Sequence, residues 1–95
     1  MPPEPKQPSV RSVEIIMPTQ LGFHLRAVAR FVNFTQKFQS VIRVQNGNVK
    51  ADGKSIIGLL VLAVAWKSKI RIEVEGNDAE QAIEGIKSFF QTEQT

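Results

Sequence analysis

The chain contains no cysteine, which excludes a disulfide framework, a thiolate nucleophile and thiolate metal ligands. Histidine occurs once, as His24; alone, it is too little for an ordinary zinc site, and no metal is expected. Long apolar runs are also lacking. The most apolar stretch, residues 56–66, is too short to span a bilayer and reads instead as a buried helix. The opening MPPEPKQPSV has no basic segment leading into an apolar one. No signal peptide is therefore read, and a cytoplasmic location without membrane insertion is expected. Neither a GxxxxGK[ST] phosphate loop nor a GxGxxG fingerprint occurs, and no cofactor is expected.

Acidic residues are outnumbered by basic ones, 9 to 12. The basic residues are scattered rather than gathered into a block. This balance suits nucleic acid and an acidic protein partner equally. A nucleic-acid-binding domain is disfavoured, because the predicted strands lack aromatic side chains for stacking bases and there is no dense basic stripe. Ninety-five residues suit one small domain with a single core, here residues 10–95. Residues 1–9 hold four of the five prolines and read as a flexible or polyproline-like tail.

Over residues 10–17, Val13, Ile15 and Met17 alternate with Ser12 and Glu14. That predicts a first strand, stopped by Pro18, with Ile16 out of pattern. After a loop over residues 18–23, Leu25, Val28, Ala29 and Val32 repeat at helical spacing, predicting a helix over about 25–37. Phe31, Phe34 and Phe38 widen its apolar side. Residues 41–45 and 48–51 flank Asn46-Gly47, a strong hairpin signal centred on that pair. Asp52-Gly53 is a turn, and Ser55 is placed to cap a short apolar helix to about residue 64. Strict alternation over residues 69–75 predicts another strand, ended by Gly76. Asn77 and Asp78, followed by Glu80 and Gln81, offer two capping boxes for a last helix. Its face carries Ala79, Ala82, Ile83, Ile86, Phe89 and Phe90. Each strand has at best one apolar face. The simplest architecture is a single sheet covered by helices on one side, with Arg43, Lys69, Arg71 and Glu73 on the solvated side.

His24 sits where the loop meets the first helix. Backbone N–H groups left unpaired at a helix start attract anions. Gly22 permits close backbone approach, Arg26 can pair with an oxyanion, and the N–H groups of Leu25 and Arg26 can receive phosphate oxygens. Imidazole is a competent nucleophile near neutral pH. Two readings stand at this point: a surface histidine that ends the loop, or a phosphoryl acceptor. Ser55 also has two readings, helix cap or phosphorylation site beside Lys54.

Gly22-Phe23-His24-Leu25-Arg26 and Lys54-Ser55-Ile56-Ile57-Gly58-Leu59-Leu60 together resemble the two signatures of HPr. That family comprises the histidine-containing phosphocarriers of the bacterial phosphoenolpyruvate-dependent phosphotransferase system. The resemblance implies an α+β open-faced β-sandwich, a four-stranded antiparallel sheet with three helices on one face, in the order βαββαβα. It implies that His24 accepts a phosphoryl group from phospho-enzyme I and passes it to a sugar-specific IIA component. The protein would then be an intermediary, not an enzyme with its own substrate pocket. It also implies that Arg26 stabilises the phosphoryl group and that an HPr kinase/phosphorylase modifies Ser55. Phe23, Ile56, Ile57 and Leu60, ringed by Arg26, Arg30 and Lys54, match the family's partner-docking surface, and a monomer is expected. The rival within the family is a regulatory protein-binding module with little or no transfer through His24. Three positions depart from the family pattern: Leu25 replaces a small residue, Ala27 a proline, and Lys67 a turn glycine.

Overall fold

The computed structural model describes residues 9–93. The tail expected over residues 1–9 therefore lies, apart from Ser9, outside the described residues. The elements follow the order β1 (Ser9–Ile16), α1 (Leu25–Thr35), β2 (Val41–Asn46), β3 (Val49–Asp52), α2 (Ile56–Leu62), β4 (Lys69–Gly76) and α3 (Ala79–Thr92). The strands form one sheet ordered β1-β4-β2-β3, antiparallel throughout. This is the single sheet covered by helices that the pattern predicts, and the open-faced α+β sandwich that the resemblance implies.

Period-two alternation sets the register. Ile42 and Val44 of β2 and Ile70, Ile72 and Val74 of β4 are fully buried, and Val13 and Ile15 of β1 pack against them. The helices close over this face with Val28, Phe31, Leu59, Ile83, Ile86 and Phe90. Phe31 is the aromatic hub, with ring centres 5.3 Å from Phe23, 5.4 Å from Phe89 and 5.5 Å from Phe90. Burying a side chain of this size is worth about 1.5–3 kcal/mol. On the opposite, solvated face Arg43 pairs with Glu73 at 3.0 Å and with Glu75 at 3.4 Å, and Lys69 lies 3.7 Å from Glu14. Such exposed pairs contribute about 0–1 kcal/mol each. The inner face therefore decides the fold.

Four local expectations are corrected. First, the hairpin is centred on Gly47-Asn48, because Asn46 pairs with Val49 as the last residue of β2. Only Gly47 takes a positive φ, 61°, which is the demand of a turn with glycine at its first central position. Second, α1 stops at Thr35 rather than near residue 37. Lys37 and Phe38 donate instead to carbonyls three residues back, Phe34 and Thr35, the tightening usual at a helix end.

Third, residues 56–66 are not one buried helix. The helix α2 ends at Leu62, stopped by Ala63 in the left-handed conformation (φ 54°, ψ 49°), and Ile57 and Val61 face solvent. Fourth, neither proposed capping box forms at α3. Asp78 stands at the cap position, but its carboxylate makes no cap bond. It accepts instead from the Gln39 N–H (2.8 Å), the Ser40 N–H (3.0 Å) and the Ser40 hydroxyl. The start of α3 is thereby clasped to the connection between α1 and β2.

The Ser40 hydroxyl, together with the two N–H groups and against an opposing desolvation, holds the Asp78 carboxyl below its ordinary value of 3.8. A lowered carboxyl pKa stabilises the fold above the unfolded value and loses that contribution as pH falls through the folded one. Asp78→Ala is expected to cost about 1–2 kcal/mol at neutral pH by urea denaturation. The wild-type advantage over Asp78→Asn should shrink as pH drops below 3.8; an advantage that grows on acidification would contradict the clasp. At the end of α2, Ala63→Gly should raise stability by about 0.5–1 kcal/mol, because glycine takes the left-handed conformation without the Cβ penalty.

Candidate functional site

The loop before α1 is a closed structure. The Gly22 N–H donates to the Thr19 carbonyl at 3.0 Å, and the buried Thr19 hydroxyl donates back to the Gly22 carbonyl. Gly22 has φ 71°, and a Cβ built on it would lie 2.3 Å from the Val64 carbonyl oxygen. The close approach foreseen at Gly22 is thus to the chain's own backbone. One residue later, the Phe23 N–H donates to that same Val64 carbonyl at 2.9 Å. Met17 extends the tie, donating to Ser68 at 2.9 Å and accepting from Lys67 at 3.0 Å. The loop carrying His24 is therefore fastened to the loop between α2 and β4.

His24 is the cap residue of α1, with extended backbone (φ −79°, ψ 170°), and its side chain makes no cap bond. The imidazole is half-buried. The first helical bond in α1 runs from the Val28 N–H to the His24 carbonyl at 2.9 Å. The N–H groups of Leu25, Arg26 and Ala27 precede it and have no acceptor within the helix. Ala27, not being proline, supplies one of the three. Arg26 is exposed and makes no ion pair among the described residues. Leu25 projects into solvent beside the histidine, 60 % exposed. The arrangement joins a nucleophilic ring, free helix-start donors and an unpaired guanidinium.

Ser55 caps α2, accepting from the Gly58 N–H at 3.0 Å. Its partners place it at the far end of α1 from His24. The Thr35 hydroxyl donates to the Gly53 carbonyl at 2.8 Å, and Lys54 Nζ donates to the Phe38 carbonyl at 2.5 Å. The two helices thus run antiparallel, with His24 near the end of α2 and Ser55 at its start. From the rise of α2, the two sites are separated by roughly 12–16 Å.

The expected docking set divides on burial. Ile57 is 75 % exposed, and Ile56 and Leu60 are 39 % and 36 % exposed. Phe23 is corrected: at 5 % exposure it is a core residue packed edge-on to Phe31, unavailable to a partner. Two of the three expected rim cations already have internal partners, Lys54 on the Phe38 carbonyl and Arg30 on Glu93 at 3.0 Å. Leu21, Val61 and Trp66 escaped the sequence reading although they are 75 %, 72 % and 46 % exposed. Val61 was detectable as the i+4 neighbour of Ile57. Leu21 and Trp66 had no signal, since a loop has no periodicity to reveal which way a side chain faces. Lys67 takes φ 67°, and its ammonium lies 4.4 Å from the Trp66 ring centre.

A family model described as the PTS HPr component phosphorylation site matches residues 11–92. The chain is 32 % identical over 78 residues to the phosphocarrier protein HPr of Xylella fastidiosa, covering 82 % of this chain and 88 % of that one. It is 35 % identical over 83 residues to the HPr-like protein Crh of Halalkalibacterium halodurans, covering 87 % and 96 %. Its structure superposes on HPr-C-His from Thermoanaerobacter tengcongensis with a TM-score of 0.83 at 33 % identity, covering 86 % and 92 %. HPr of that organism has also been solved as a dimer.

The Ser55 bond to Gly58 gives a direct measurement. Ser55→Ala should destabilise the protein by about 1 kcal/mol in chemical denaturation, and Ser55→Asp, which keeps an acceptor, should stay within a few tenths of wild type. Equal losses in the two variants would contradict a capping role.

Proposed function

The chain belongs to the HPr family, and from that premise we propose that His24 carries a phosphoryl group from phospho-enzyme I to a IIA component. The supporting observation is the start of α1, where a half-buried imidazole without a cap bond stands beside free N–H groups and the unpaired Arg26. In the first step an imidazole nitrogen attacks phosphorus, a P–N bond forms, and the bond to the enzyme I donor breaks. The charge on the phosphoryl oxygens is met by the Arg26 guanidinium and the N–H groups of Leu25 and Arg26. The second step repeats the exchange with a IIA side chain as nucleophile. Partner surfaces exclude water during each step, and an open site on a small protein serves both. Ile56, Ile57 and Leu60 form the apolar contact. The working unit is a cytoplasmic monomer formed by residues 10–95, and no helix among the described residues is long and apolar enough to cross a membrane.

A second layer of function, regulation at Ser55, is proposed from the likeness of Lys54-Ser55-Ile56-Ile57-Gly58 to the family's second signature. A kinase/phosphorylase acting on its half-exposed hydroxyl would place a dianion beside Ile56 and Ile57. That charge repels an acidic partner without unfolding the cap.

Incubated with phosphoenolpyruvate and its cognate enzyme I, the wild type should gain an acid-labile phosphate that His24→Ala does not. Arg26→Ala should transfer about tenfold more slowly or worse. No labelling of the wild type would sink the carrier reading. The kinase should add an acid-stable phosphate to the wild type and not to Ser55→Ala; equal labelling of both would remove Ser55 as the site.

A further inference from the structure

Among the described residues 17–24, the one side-chain hydrogen bond is that of the Thr19 hydroxyl to the Gly22 carbonyl. Thr19 is 1 % exposed, and Gly22 is buried as well. A buried carbonyl needs a partner, and here a side chain supplies it rather than backbone. On the other side of the same peptide, the Phe23 N–H donates to the Val64 carbonyl at 2.9 Å. Both polar groups of the Gly22-Phe23 peptide are therefore held, one from each flank.

The tie matters because of what lies on either side of that peptide. Gly22 has no Cβ to limit its torsions, so the peptide can tilt unless it is fastened. His24 follows one residue later, and its extended backbone (φ −79°, ψ 170°) hands the chain to α1. A tilt at Gly22-Phe23 moves the imidazole relative to the helix-start N–H groups and Arg26. The turn itself does not need the hydroxyl, because the bond from the Gly22 N–H to the Thr19 carbonyl, 3.0 Å, is backbone at both ends.

We infer that Thr19 is a positioning residue for phosphoryl transfer: its buried hydroxyl fixes the peptide leading into His24, and so the direction of the imidazole toward an incoming phosphorus. The inference rests on the carrier reading for the reaction. It goes beyond that reading by giving a role to a residue buried behind the reacting ring. Misplacing a reacting atom by about 1 Å costs on the order of a hundredfold in rate. A restraint that is loosened rather than lost costs less.

The test compares labelling of the intact chain by two phosphoryl donors, phospho-enzyme I and phosphoramidate, a small donor that needs no docking. With phosphoramidate, a P–N bond to the ring forms as the donor's own P–N bond breaks and ammonia leaves. Thr19→Val keeps the side-chain shape without the donor, Thr19→Ala is a second donorless variant, and Thr19→Ser keeps the hydroxyl. Thr35→Val is the control, since it takes a buried hydroxyl from the Gly53 carbonyl at the far end of α1. Thr19→Val and Thr19→Ala should label about tenfold more slowly with either donor. With enzyme I the loss should fall on kcat and leave KM unchanged. Thr19→Ser should recover most of the rate. Thr35→Val should melt at a lower temperature yet keep the wild-type kcat. The ring protons of His24 should shift in the NMR spectrum of Thr19→Val and not in that of Thr35→Val. Thermal melts establish which donorless variant is folded, and that one decides. Wild-type rates in it with both donors refute the positioning role, while labelling of the wild type by enzyme I still upholds the carrier. Rates that follow melting temperature across all the variants, Thr35→Val included, also overturn the proposal. If phosphoramidate labelling depends on the Thr19 hydroxyl but phospho-enzyme I labels nothing, the positioning role stands and the carrier reading falls.

Discussion

The Val64 carbonyl receives the Phe23 N–H at 2.9 Å while the Cβ-less face of Gly22 presses against the same oxygen. Any side chain at Gly22 would have to displace backbone, and its φ of 71° is strained for every other residue. This one closure fixes where α1 begins, and hence where its unpaired donors point. It sends Phe23 inward to Phe31 and Phe90 and leaves the next residue, His24, at the boundary between core and solvent. It also sets the loop of Trp66 against the loop of His24. Position, donors and neighbours of the candidate nucleophile thus share a single mechanical origin.

A second tie, at the other end of the same helix, gives the surface its polarity. The Thr35 hydroxyl on the Gly53 carbonyl and the Lys54 ammonium on the Phe38 carbonyl hold the start of α2 against the end of α1. Two candidate modification sites then lie at opposite ends of an antiparallel pair, with an apolar strip between them. A charge added at Ser55 acts on a partner docked across that strip rather than on the imidazole directly. Screening in water over about 10 Å makes a direct effect weak.

Much of this fold was legible from periodicity. Strict alternation in β4 and the aromatic spacing of α1 and α3 each admit one orientation, since turning either element would expose its large apolar side chains. Legibility failed where a segment carries no polar residue to mark its outside. The α2 sequence IIGLLVL cannot show which of its side chains meet water; its packing against α1 and β3 buries Leu59 and Leu62 and leaves Ile57 and Val61 free. The Ser55 cap forms as expected, but the capping boxes at α3 failed for a related reason. Asp78 has the right spacing for a local box, but the Gln39 and Ser40 N–H groups, nearly forty residues back in the chain, offer its carboxylate better partners. The left-handed residues Ala63 and Lys67 were equally hidden, because neither is glycine.

By itself the sequence determined the class of fold, the single core and the chemistry available. One imidazole, no thiol and one glycine-led loop before an apolar helix leave few options, because residue types and their local periods are written in the chain. Tertiary structure alone decided which groups are free to act. It committed Phe23 to the core, engaged Arg30 with Glu93 and Lys54 with the Phe38 carbonyl, and left Arg26 open beside His24. It also tied the loop of Trp66 to the loop of the histidine, although the two are far apart in sequence. Those outcomes depend on which distant segments meet, and hydrogen bonds between loops carry no periodic signature.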